Sequence, residues 1–176
     1  MQRVPRAKFA IQPISESMMG SVLQLNNDNT PHVNALTQPQ LEALVDMADG
    51  AWSVVGEADH LVGFALVMGP GKPYDSLNYR WFERQFDAFH YLDRIVVSTT
   101  HRRHGVGTML YERVFAEALR ARMVRVCCEV NLSPPNPGSI VFHEGLGFQG
   151  VGEQATEAGL KQVLLMARSL ESGEDQ

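Results

Sequence analysis

One stretch of the 176-residue chain concentrates residue types that handle anions: Val97-Ser98-Thr99-Thr100-His101-Arg102-Arg103-His104-Gly105-Val106-Gly107-Thr108. An apolar, strand-like run delivers the chain to a basic turn, two glycines let backbone approach a ligand, and helical periodicity begins. The first turn of a helix carries N–H groups without intrahelical acceptors and the positive end of the dipole, which suits a phosphate or pyrophosphate. In a chain with 15 Lys and Arg against 20 Asp and Glu, net −5, Arg102 and Arg103 beside His101 and His104 form a local cationic spot. The alternative reading is a solvated basic turn closed by glycine. Three further side chains invite attention. Asp93 and Glu129 are carboxylates inside apolar strand-like runs, where unpaired burial is costly. The simplest account of each is an ion pair, with Arg94 or Arg125 as candidates. His143 sits on a short helical segment. His101 and His104 have metal-like spacing but no third ligand at a suitable distance, so no metal is expected.

Two phosphate signatures can be tested directly. A P-loop needs Gly-Lys-Ser/Thr, and Gly107 is followed by Thr108 and Met109. A dinucleotide fingerprint needs a third glycine where Leu110 stands, and wants its first glycine directly on the strand. Glu129, 22 residues past Gly107, does lie where a ribose-binding acid would fall, so a dinucleotide-dependent oxidoreductase stays open as a rival.

These residues need a scaffold, and the hydrophobic periodicity supplies one. Phe9 to Ile14 reads as a strand. A helix capped by Ser15 follows, with Met18, Met19, Val22, Leu23 and Leu25, and ends in Asn26-Asn27-Asp28-Asn29. Pro39 to Asp49 reads as a second helix. Trp52 to Glu57 and Leu61 to Met68 read as a hairpin. Gly69 to Pro73 is turn chemistry, and beyond it Tyr79, Phe82, Phe86 and Phe89 recur at helical spacing, as core or as a homodimer interface. Tyr91 to Val97 is a strand, and Gly105 to Ala121 a helix with Val106, Met109, Leu110, Val114, Ala118 and Leu119 on one side. Val124 to Val130 is a strand holding Cys127 and Cys128 as small core residues. Asn136-Pro137 opens a short helix closed by Gly145. Phe148 to Glu153 and Gln162 to Arg168 finish as strands. The fold class is mixed α/β in a single domain over 1–170, with a polar tail at 171–176.

Composition narrows the functional classes. With 44 % hydrophobic residues the chain can bury a core, which excludes a disordered or disulfide-stapled miniprotein. A sequence pI near 5.6 opposes a general nucleic-acid binder. The absence of any run of about 18 apolar residues argues against a membrane span. The first residues lack the apolar block of a signal peptide. The expectation is a cytoplasmic protein with no nucleic-acid or membrane partner.

Arg102-x-x-Gly105-x-Gly107 resembles the R/Q-x-x-G-x-G/A signature of the GNAT superfamily of acyl-CoA-dependent N-acetyltransferases. Asn136-x-x-Ser139-x-x-Phe142-His143-x-x-Leu146-Gly147-Phe148 resembles that family's later N-x-x-A-x-x-F-Y-x-x-x-G-F pattern, and Leu92 to Val97 its fourth strand. The clear likeness covers residues 91–150. It implies a splayed mixed sheet flanked by helices, with acetyl-CoA as co-substrate and a small-molecule or peptide amine as acceptor. It implies pantetheine pairing with backbone at Ile95, Val96 and Val97, and diphosphate held by Arg102, Arg103, His104, Gly105, Val106, Gly107 and Thr108. Asn136 and Ser139 would meet the cofactor, Asn136 alternatively serving only as an N-cap before Pro137.

The implied reaction is attack of a neutral amine on the thioester carbonyl. It needs a base for the ammonium, an N–H donor at Val96 or Val97 for the carbonyl oxygen, and an acid for the sulfur. Asp93 and Glu129 are the base candidates, acting directly or through water. His143 stands where the family most often has tyrosine, and an imidazolium with a reference pKa of about 6.5 can protonate a thiolate. Asn26 and Asn27, and Tyr74 with Asp75, lie in the segments where the resemblance puts acceptor recognition. A non-catalytic acyl-CoA-binding protein of the same fold is the other rival.

Overall fold

The computed structural model describes residues 8–170; the polar tail assigned to 171–176 lies outside them. Seven strands form one mixed sheet in the order β1-β2-β3-β4-β5-β7-β6, flanked by five helices. The strands are β1 (Ala10–Pro13), β2 (Gly50–Val55), β3 (Leu61–Met68), β4 (His90–Val97), β5 (Arg125–Ser133), β6 (Gln149–Thr156) and β7 (Lys161–Ser169). The helices are α1 (Met19–Asn27), α2 (Gln38–Met47), α3 (Leu77–Gln85), α4 (Val106–Arg120) and α5 (Pro137–Gly145). Among the described residues no helix is long and apolar enough to cross a membrane, and no group of three or more His, Cys, Asp or Glu is placed to hold a metal ion.

The chain folds into two compact units, each built from two chain segments. The first comprises the residues up to Leu66 together with Arg94–Arg113. Here β1 runs antiparallel to β2, in the register Ala10↔Val55 to Pro13↔Trp52. Every residue of β3 is buried, the pattern of a strand covered on both faces. α2 starts in a capping box: Thr37 Oγ1 accepts from the Gln40 N–H, and Gln40 Oε1 accepts from the Thr37 N–H at 2.8 Å. That motif, together with a proline in the first turn, sets the boundary that the apolar periodicity marks only at Pro39. Ser15 behaves differently from expectation. It precedes a single 3₁₀ turn and makes no side-chain capping bond.

The second unit comprises Val67–Asp93 and the residues from Val114 onward. β4 and β5 pair in parallel at His90↔Val126 and Tyr91↔Cys127, and β5 and β6 both pair antiparallel with β7. The aromatic stripe is only half helical. α3 ends at Gln85, and Phe86 is already extended at φ −137°, ψ 143°. Tyr79, Phe82 and Phe89 are nonetheless fully buried, so the stripe belongs to the core. Leu119 departs from the expected apolar face of α4: it is 49 % exposed, while Tyr111 is fully buried. Cys127 and Cys128 are buried and outside any disulfide, and burial pushes the Cys127 thiol up to about 12, which disfavours its thiolate.

Candidate active site

The basic turn of the first unit is held open by backbone geometry. A 3₁₀ turn at Thr99–His101 follows β4, Arg103 is left-handed at φ 63°, and Gly105 sits at φ +84° just before α4. A side chain at Gly105 would meet nothing within 4 Å, so glycine is required there by conformation and not by space. The first i→i−4 bond of α4 runs from the Met109 N–H to the Gly105 carbonyl at 3.0 Å. The N–H groups of Val106, Gly107 and Thr108 therefore form the first turn that a helix cannot satisfy internally. Arg102, Arg103, His104 and Thr108 are exposed beside them. His104 Nδ1 donates to the Arg102 carbonyl at 2.8 Å, and His101 Nδ1 meets Thr100 Oγ1 at 2.9 Å.

β4 supplies the strand that enters this turn. Asp93, Ile95 and Val97 share one half-buried face, and Arg94 and Val96 are buried on the other, as strand alternation requires. One edge of β4 is occupied where it ends, because the Ser98 N–H donates to the Val62 carbonyl at 2.8 Å. Gly63 keeps α4 close to this strand. A Cβ there would lie 2.9 Å from Val106 Cγ1 and 3.0 Å from the Val96 carbonyl oxygen.

The asparagines at the end of α1 are bonded within their own loop. Asn26 is fully buried, its amide donating to Asn34 O and to Asn27 Oδ1 at 3.0 Å, its Oδ1 accepting from Arg94 Nη1 at 2.9 Å. Asn27 Oδ1 accepts from the Leu36 N–H and Asn27 Nδ2 donates to the Leu36 carbonyl, both at 2.9 Å. These carboxamides close the loop after α1 on itself. Asn26 and Asn27 therefore shape the loop in which the resemblance puts acceptor recognition.

In the second unit both sequence-predicted carboxylates are half-buried, and each receives a phenol. Tyr74 donates its hydroxyl to Asp93 Oδ1 at 2.5 Å, and the Tyr91 hydroxyl lies 2.9 and 2.8 Å from the two oxygens of Glu129. Arg94 donates to Asn26 Oδ1 at 2.9 Å, and Arg125 lies over the Phe86 ring at 3.9 Å. Burial, followed by the charges of Glu129 and Asp93, holds the Tyr91 phenol well above its ordinary pKa. It stays a protonated donor. Asp75 is an exposed neighbour, paired with Arg80 at 2.6 Å.

His143 lies on α5 and is buried. Its Nδ1 lies 2.6 Å from the Ser139 carbonyl oxygen and 3.3 Å from Ser139 Oγ. A carbonyl only accepts, so the proton sits on Nδ1 and the lone pair of the neutral ring on Nε2. Desolvation lowers the pKa below 6.5, outweighing the opposite effect of the Ser139 bond. The ring packs edge-on against Phe142 and Phe148. A neutral imidazole with this tautomer accepts at Nε2, and must take a proton there before it can serve as the acid expected from its position. Asn136 precedes α5 as its N-cap but makes no side-chain capping bond. Capping by its side chain therefore does not account for the residue type.

Comparison with known proteins places this geometry in a family. The acetyltransferase (GNAT) family matches residues 20–148. No curated protein sequence matches the chain. Among solved structures, the ribosomal-protein-S18-alanine N-acetyltransferase from Escherichia coli superposes with TM-score 0.70 at 17 % identity, covering 96 % of this chain and 99 % of that one. Arabidopsis thaliana NAA60 in complex with a bisubstrate analogue gives 0.74 at 16 % identity, covering 92 % and 98 %. The NatC complex bound to Gag peptide and CoA gives 0.73 at 13 % identity, covering 93 % and 99 %. At these identities the structural likeness speaks for the fold, and the family match, which spans well over half of the sequence, carries the assignment: the chain belongs to the acetyltransferase (GNAT) family.

Proposed function

We propose that the protein is a cytoplasmic N-acetyltransferase that moves an acetyl group from acetyl-CoA to a primary amine of a small molecule or peptide. The observation that carries the reading is the turn at residues 102–108. It combines two exposed guanidinium groups, a left-handed glycine and the start of a 15-residue helix, within a chain of net charge −5. Such a turn offers backbone N–H groups and cationic side chains to a diphosphate. Backbone at Ile95 to Val97 pairs with the pantetheine arm, and the N–H of Val96 or Val97 polarises the thioester carbonyl. Asn136, free of a capping bond, and Ser139 complete the cofactor contacts.

For the chemistry, Glu129 is the leading base, with Asp93 beside it in the same unit. The acceptor arrives as an ammonium, and a carboxylate takes one proton, directly or through water. The amine nitrogen then bonds to the acetyl carbon, the carbon–sulfur bond breaks, and the second nitrogen proton leaves as the amide forms. One of the two protons released by nitrogen ends on the thiolate and the other in solvent. His143 is the acid candidate: taking at Nε2 one of the protons that the nitrogen releases, it hands that proton to the departing sulfur. Tyr74, through Asp93, and Asp75 face the acceptor. Peptide acceptors gain support from the solved relatives, which include an enzyme of a ribosomal-protein alanine and a complex holding a Gag peptide.

The test is free-thiol release from acetyl-CoA across a panel of amines, amino acids and peptide N-termini. At least one acceptor class should turn over, and Glu129→Gln should lower kcat by about 10²–10⁴-fold without weakening CoA binding. CoA binding with no thiol release from any acceptor would leave a non-catalytic acyl-CoA-binding protein. Thermal stabilisation by NAD alone would reject the reading altogether.

A further inference from the structure

We infer that Asn29 is a positioning residue that pre-orients the Arg102 guanidinium for the diphosphate, an inference that rests on the cofactor reading above. Arg102 is exposed, and a free arginine side chain has rotamer entropy that a ligand must overcome. Here its Nη2 donates to Asn29 Oδ1 at 3.0 Å. Asn29 is itself buried, with only 7 % of its surface exposed, so the guanidinium is tied to the body of the first unit and not to another mobile side chain.

The polarity of the carboxamide is fixed by the end of α1. The Asn29 N–H turns to the Asn26 carbonyl at 3.0 Å, a tightened last turn. That leaves the Leu25 carbonyl to the side chain, and Asn29 Nδ2 donates to it at 2.8 Å. With the amide nitrogen committed there, the oxygen points the other way, as an acceptor for a cation. One turn earlier Asn26 does the same for Arg94, whose Nη1 donates to Asn26 Oδ1 at 2.9 Å. The C-terminal end of α1 thus receives two guanidinium groups, where the negative end of the helix dipole favours them. The bond to Asn29 uses one edge of the Arg102 fork, and a guanidinium has five donors, so others remain for a diphosphate oxygen. An aspartate would have neutralised the cation; the neutral amide orients it and leaves its charge intact.

The test is a double-mutant cycle read as the Kd for CoA, by calorimetry on the full chain. Arg102→Ala should weaken CoA about tenfold or more, and Asn29→Ala about three- to tenfold. In the Arg102→Ala background, Asn29→Ala should add nothing. Asn29→Ser guards against misfolding, since the serine hydroxyl can bond the Leu25 carbonyl four residues back while falling short of Arg102. It should weaken CoA as Asn29→Ala does, with kcat unchanged. If Arg102→Ala weakens CoA but neither Asn29 variant does, the positioning role is wrong and the cofactor reading stands. If the Asn29 variants weaken CoA equally with and without Arg102, the residue acts only on the fold. If Arg102→Ala leaves CoA affinity unchanged, the cofactor reading fails first.

Discussion

At the scale of single residues, the environment decides which titratable groups can act. Burial lowers the His143 pKa below 6.5, so in acid the unfolded chain binds a proton that the folded protein resists. The unfolded state then holds more protons, and stability rises with pH through this group. The stabilisation is fully present above about 6.5 and is lost as pH falls toward the folded value. Melting temperature measured from pH 5 to 8 should fall on the acid side, and His143→Gln should flatten that slope. An unchanged slope would mean that His143 titrates normally. Tyr91 poses the complementary case, a phenol kept protonated and bonded to both Glu129 oxygens. Removing a hydrogen bond to a charged group costs about 1.5–3 kcal/mol. Tyr91→Phe should therefore lower kcat about ten- to hundredfold, with the Kd for CoA unchanged in the same preparation. Asp93 and Glu129 were legible as carboxylates out of place in apolar strands, but their partners were not. Tyr91 and Asp93 are two apart on one strand face, as are Cys127 and Glu129; only the register Tyr91↔Cys127 brings phenol to carboxylate. Register is a long-range fact with no local signal.

At the scale of elements, the cofactor turn depends on how closely α4 can approach the sheet. Gly63 on β3 makes that approach possible, since a Cβ would press on Val106 and on the Val96 carbonyl, whose backbone has little freedom to yield. Gly63→Ala should cost about 1–3 kcal/mol of stability by overpacking, and should weaken CoA because the start of α4 is pushed from its place. Urea denaturation and CoA titration of one sample check both, and retention of full affinity would show that the turn tolerates the shift. The same elements show where sequence reading works. β3 and the apolar face at the start of α4 follow from uninterrupted or periodic hydrophobicity, and their boundaries fell within a residue or two. The end of α3 did not, because Phe86 and Phe89 continue a helical spacing after the backbone has turned extended at Phe86. Burial drives those rings inward from either conformation, so periodicity could not distinguish them. The asparagine run after α1 was legible as a loop of polar residues. Closing the loop is local, to Asn34 and Leu36, but receiving Arg94 and Arg102 requires segments 68 and 73 residues away.

At the scale of the whole molecule, the two compact units are not successive in the chain. Each is assembled from two segments, and β3, β4 and α4 each contribute residues to both. No composition shift or linker marks such a division, because the backbone passes from one unit to the other inside continuous strands and a helix. Separating the units would require breaking two strands and a helix at once, so unfolding should be a single cooperative transition, as for one domain over 1–170. The two tryptophans allow each unit to be followed alone: Trp52 lies in the first and Trp81 in the second. Trp81→Phe leaves Trp52, packed beneath the Arg113 guanidinium at 5.5 Å, as the reporter. Trp52→Phe leaves Trp81, whose ring meets Phe82 edge-on with centroids 5.2 Å apart. Within each variant, the urea midpoint from tryptophan fluorescence should coincide with that from far-ultraviolet circular dichroism, whatever stability the substitution itself removes. A fluorescence midpoint displaced from the dichroism midpoint, in opposite directions in the two variants, would establish instead that the units melt independently.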